Sequence, residues 1–138
     1  MSLPSRLRMF ALLAADVLAV LLFAAVGRRS HAEGLTAAGV LGTAWPFLTG
    51  VAVGWLLTRA WKRPTAVTPV GVGAWLAALL VGMLLRRVTG EGTAWPFVVV
   101  ATVVLAALLL GWRFVVHLVR RRAQVRARGD RADLAERA

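Results

Sequence analysis

Asp16 stands alone among apolar residues. No other charged side chain occurs between Arg8 and Arg28. Asp16 lies about nine residues into that block, ~14 Å deep if the block is a helix rising ~1.5 Å per residue. That places it near the midplane of a lipid core ~30 Å thick. An ionised carboxylate there costs at least ~2.5–3.5 kcal/mol on insertion scales. It therefore has to face protein, either protonated or paired. Arg113, in the fourth apolar block, is the nearest basic candidate. The chemistry open to such an Asp is ion or proton handling. The plainer alternative is a polar residue that fixes helix packing. Ala19, Phe23 and Gly27 share its helical face.

A second set of charges sits between blocks. Arg28-Arg29 and Arg86-Arg87 close the first and third. Two helix starts, with uncovered N–H groups and positive dipole ends, point to the same side. Guanidinium forks and helix starts together suit a phosphate, a carboxylate or a lipid headgroup. A basic depression lined by Arg28, Arg29, Arg86 or Arg87, with His31 at its edge, is the expectation. The competing reading is that these arginines snorkel and terminate their helices. Glu33 and Glu91 are placed to neutralise them without any ligand.

Other chemistry finds little material. His31 and Glu33 make a poor metal site, and His117 falls on the opposite side, so no metal or cofactor is expected. Ser2, Ser5 and Ser30 are the only serines, and no nucleophile–base pair or phosphate loop occurs, so an enzyme is not expected. The net charge of +11 lies between and after the apolar blocks, with no aromatic residues interleaved in the Arg run, which argues against nucleic acid. Cys, Ile, Asn and Tyr are all absent. That joint absence reads as the codon bias of a GC-rich genome and carries no redox information.

The elements that must hold these residues are membrane helices. The chain has 138 residues, 59% of them apolar, in four blocks nearly free of charge. Each is close to the ~17–25 residues a crossing helix needs. The spans are expected at about 7–26, 43–61, 70–85 and 96–119. The first resembles a signal peptide, but it is longer than a signal core and carries Asp16, so it reads as a retained span. Thr43 is expected to cap the second span, with Pro46 in its first turn. Residues 35–41 are too short to cross and are expected at the interface. Residues 120–138 form a polar, Arg-rich tail.

Gly42-Thr43-Ala44-Trp45-Pro46-Phe47 recurs unchanged as Gly92-Thr93-Ala94-Trp95-Pro96-Phe97. Each copy is expected to open a span and to follow a double arginine. Trp45 and Trp95 read as interface anchors. Because each unit is two helices, both enter the membrane in the same direction. The predicted fold is an all-α, four-helix transmembrane bundle of two parallel two-helix repeats, about residues 7–61 and 70–119. Gly50, Gly54, Ala74, Ala78 and Gly82 are close-packing positions, within or between subunits. The loops that carry the double arginines hold only Arg28, Arg29, Arg86 and Arg87 of the 17 basic residues. By the positive-inside rule both termini face the cytoplasm.

Asp16, Phe23, Gly27-Arg28, Ser30-His31 and Pro46-Phe47, with Gly54-Trp55, resemble a family of short bacterial and archaeal membrane proteins, domain of unknown function 3054. The resemblance covers about residues 8–118 and leaves the tail outside. It supports the four-span reading and brings no activity or substrate; the expected location is the bacterial plasma membrane.

The resulting expectation is a protein that binds or transports a small solute or ion, with Asp16 at mid-depth and a basic outer mouth. Four short helices leave little room for a pore, so this version calls for a homo-oligomer. The alternative is a structural or accessory membrane protein that binds anionic lipid through its tail, or binds a partner membrane protein.

Overall fold

In a lipid interior every backbone N–H and C=O must find its partner within the protein, so an apolar block that crosses becomes a helix. The computed structural model describes residues 4–30 and 34–138, and each apolar block in it is helical. The helices are α1 (Ser5–Ser30), α2 (Ala37–Thr58), α3 (Val72–Val88) and α4 (Trp95–Arg137). A wide helical turn, Val67–Gly71, leads into α3. Among the described residues, four helical segments are long and apolar enough to cross a membrane.

The surface confirms the solvent. Leu18, Leu22, Leu56, Leu57, Leu80 and Leu84 are all more than half exposed, while Asp16 and Arg113 are fully buried. Apolar outside and charged inside is the inverse of a water-soluble bundle. The chain is an integral membrane protein.

Helix ends follow local chemistry. Thr36 caps α2: its backbone is extended and its hydroxyl accepts from the Gly39 N–H at 3.0 Å. Arg59 closes the same helix in the left-handed region, φ 52°. Arg28-Arg29 and Arg86-Arg87 occupy the last turns of α1 and α3, where positive charge opposes the dipole.

Several expected boundaries move. α2 starts at Ala37, so residues 35–41 do not form a separate interfacial segment, and Thr43 is not the cap. Pro46 lies well inside the helix. Its missing N–H leaves one carbonyl without its helical donor, a loss that membrane helices tolerate. The third span runs Val67–Val88. No break separates the fourth span from the tail. At ~1.5 Å per residue the 43-residue α4 is ~65 Å long, about twice the lipid core. Everything from Arg120 onward is exposed.

The helices form a ring in which α1 packs on α2 and α4, and α3 packs on the same two. α2 and α3 approach most closely. A Cβ built on Gly50 would lie 2.6 Å from the Ala78 Cα, and one on Gly54 would lie 2.8 Å from the Ala74 Cα. The small-residue faces therefore meet within one subunit. At the end away from both termini, Phe23, Phe47 and Phe97 form a three-ring cluster with centroids 5.2–6.3 Å apart. Phe47 and Phe97 end the two copies of the repeated hexapeptide. Their contact puts both copies at the same depth on the same side, although only the second copy lies at the start of its helix.

Candidate functional site

Two elements far apart in the chain bring the buried charges together. Asp16 projects from the middle of α1, and Arg113 reaches back toward the start of α4, as long side chains on helices do. The pairing is bidentate: Arg113 Nη1 donates to Asp16 Oδ1 and Arg113 Nη2 to Asp16 Oδ2, both at 2.6 Å. Both side chains have no exposed surface.

The surrounding groups complete the constellation. Trp55 Nε1 of α2 donates to Asp16 Oδ2 at 2.8 Å, and Trp112 Nε1 donates to Asp16 Oδ1 at 2.9 Å. The carboxylate thus accepts four hydrogen bonds from three residues. Arg113 Nη1 also donates to the Leu109 carbonyl, one turn back. Its Nε donates to the Pro64 carbonyl at 3.1 Å. That bond ties the α2–α3 connector to the centre of the bundle. The guanidinium carbon also lies 4.5 Å from the Trp112 ring centroid, in cation–π range. Gly71 leaves the passage open, since a Cβ there would sit 2.9 Å from Arg113 Cδ.

The arrangement is a desolvated charge clamp. Two ions removed from water have lost their hydration, and only close geometry with every lone pair used offsets that loss. The chemistry available is exchange: a carboxylate on a fixed guanidinium fork can be replaced by another anion. Sequence reasoning found Asp16 and Arg113. It missed Trp55 and Trp112 as donors, and it could not see the Pro64 carbonyl. The signal for the tryptophans was their place inside apolar spans, where an indole N–H needs an acceptor.

At the end away from the termini lies a cavity of about 660 Å³. Phe23 and Phe97 form its apolar floor, and Arg28, Arg86 and Thr43 its polar wall. Arg28 Nε donates to the Gly34 carbonyl and Nη1 to Thr43 Oγ1. Arg86 bonds the Gly92 carbonyl and pairs with Glu91 at 2.7 Å, with its guanidinium carbon 4.3 Å above the Phe97 ring. Of the four arginines expected here, Arg28 and Arg86 line the cavity. Arg29 and Arg87 do not, because adjacent residues on a helix point about 100° apart; Arg87 lines a separate groove beside Leu80 and Thr93. His31 and Glu33 lie outside the described residues. Trp45 and Trp95 are exposed at this end. His117 lines a cavity at the opposite end. Asp16 lines neither end cavity.

No curated protein and no solved structure matches this chain. The model of one family, described as protein of unknown function (DUF3054), matches residues 13–116. The match holds both members of the buried ion pair and both tryptophan donors, and it leaves out the exposed extension of α4. The chain belongs to that family.

Proposed function

We propose that this chain binds and moves a small anionic solute across the membrane, using two arginine clamps in series. The observation that carries the reading is the Asp16–Arg113 pair. It is fully desolvated at the centre of a small bundle, where two apolar side chains would serve stability as well or better. An ionisable pair inside a span points to function by default.

At both levels an internal acceptor holds the arginine that a solute would use. Glu91 pairs with Arg86 at the cavity wall, and Asp16 with Arg113 below the phenylalanine floor. An incoming anion would displace Glu91 first and compete with Asp16 second. The phenylalanine cluster between them closes the path at rest. Phe97 of the second hexapeptide copy supplies part of that floor, and Phe47 of the first copy packs against it. In this reading both termini face the cytoplasm, the protein acts by binding and permeation and not as an enzyme, and a homo-oligomer supplies the room one bundle lacks.

A second reading has its own support. Both Asp16 oxygens are saturated and Arg113 is anchored to Pro64, as a purely structural clamp would be. With the Arg-rich extension of α4, this describes an accessory protein that binds anionic lipid or a partner membrane protein.

The test is flux. The purified full-length chain in liposomes should carry current on concentration jumps of chloride, inorganic phosphate or acetate. Arg28→Gln/Arg86→Gln should abolish that current at low salt, where screening is weakest. Unchanged current in the double variant would remove the distal cavity from the path. No current for any of these anions in the wild-type protein would favour the accessory reading.

A further inference from the structure

The end of the bundle that carries both termini holds a second cavity, of about 760 Å³. Three separate stretches of chain place cations on it: Arg8 from α1, Lys62 and Arg63 from the α2–α3 connector, and Arg120 from α4. Arg120 Nη1 lies 3.3 Å from Thr65 Oγ1, which fixes one wall. Thr65 and Thr68 add hydroxyls, and Leu12 and Phe114 add an apolar side.

Among the described residues, no carboxylate lines this cavity. The five acidic residues that the structure describes are all accounted for elsewhere. Asp16 is locked on Arg113, and Glu91 is on Arg86 at the opposite end. Asp130, Asp133 and Glu136 follow Arg120 by ten or more residues, which along a helix is at least ~15 Å. Four cations gathered from three segments repel one another, and nothing in the described chain neutralises them. A tetrahedral oxyanion would, with guanidinium forks and hydroxyls both suited to its oxygens.

We propose that this cavity is a phosphate-group site, holding either the headgroup of an anionic phospholipid or free inorganic phosphate. The floor of the cavity gives the site a structural consequence. Pro64, which also lines it, presents its carbonyl to Arg113 Nε. A bound phosphate group therefore orders the connector that holds the central arginine. This proposal does not depend on transport and is tested without measuring it.

The full-length chain is reconstituted in nanodiscs of phosphatidylcholine with a minority of phosphatidylglycerol, and retained lipid is counted by native mass spectrometry. In parallel, thermal stability in detergent is followed as inorganic phosphate is added at low salt. The variants are Lys62→Gln/Arg63→Gln and, in case that pair misfolds, Arg8→Gln/Arg120→Gln. The control is Arg126→Gln/Arg128→Gln, on the exposed extension. The wild-type chain should retain phosphatidylglycerol, gain stability with phosphate, or both. Retention alone identifies the headgroup, and stabilisation by phosphate identifies the free ion. Cavity variants should bind about tenfold or more weakly, the loss expected for removing a charge-assisted hydrogen bond. The control should bind as wild type. The proposal is overturned if the wild-type chain binds neither probe, if cavity variants bind both equally well, or if the control loses as much as they do.

Discussion

Gly71 and Arg113 share one small volume: a Cβ on Gly71 would stand 2.9 Å from Arg113 Cδ and 3.0 Å from Leu110 Cδ2. The arginine stem cannot step aside, because its head is fastened to Asp16, Leu109 and Pro64. Gly71→Ala should therefore destabilise the protein by about 1–3 kcal/mol, the usual range for overpacking. Thermal unfolding followed by tryptophan fluorescence would show it. A melting temperature equal to wild type would mean that Arg113 has slack the geometry does not indicate.

The α2–α3 seam should be the least forgiving surface in the bundle. Gly50→Leu and Gly54→Leu each drive a side chain into backbone of the facing helix. Each should cost more than Gly71→Ala and lower resistance to unfolding in detergent. Gly111 has nothing within 4 Å of its built Cβ. Gly111→Ala should be neutral or gain up to ~1 kcal/mol of helix propensity. Equal effects at Gly54 and Gly111 would contradict the packing described.

The four crossings and the buried pair were legible because each has a large free-energy signature. An uncharged block of bilayer length has few other fates, and an Asp inside one must find a partner. The start of α2 was not legible for a local reason. Pro46 follows Trp45 in the same hexapeptide as Pro96, and Pro96 does sit in a first turn. Applying that pattern to Pro46 moved the expected start to Thr43, when Thr36 was the working cap. The Pro64 carbonyl was beyond reach because any residue has a carbonyl, and only the tertiary path of the connector brings this one to Arg113. The choice of Arg28 and Arg86 over their neighbours likewise depends on helix rotation, which a double arginine leaves open.

Each tryptophan bound to Asp16 should be worth a measurable share of stability. Trp55→Phe and Trp112→Phe keep the ring and remove one N–H donor to a carboxylate. Each should cost about 1.5–3 kcal/mol. Trp112→Phe should be the costlier of the two, because Trp112 also faces the guanidinium. Urea or detergent unfolding of the two variants would rank them. No loss in either would show that Arg113 alone satisfies the carboxylate.

Orientation is open to direct chemistry, since the chain has no Cys. In intact cells, Ala94→Cys, exposed at the end away from the termini, should react with an impermeant thiol reagent. Ala127→Cys, exposed on the α4 extension, should react only after lysis. The reverse pattern would put both termini outside and turn the proposed path around.

The central claim is that Asp16 and Arg113 are retained for what they do and not for what they hold together. Removing one partner cannot decide this, because the stranded charge would itself cost about 3–5 kcal/mol. Replacing both with apolar residues of similar size, Asp16→Leu/Arg113→Met, removes the charges and leaves none stranded. The decisive measurement is anion current through liposomes containing this double variant, alongside its melting temperature. The account predicts a folded protein that carries no current, its melting temperature lowered only by the lost acceptor of Trp55 and Trp112 and the lost donor to Pro64. A folded double variant that conducts like wild type would contradict it.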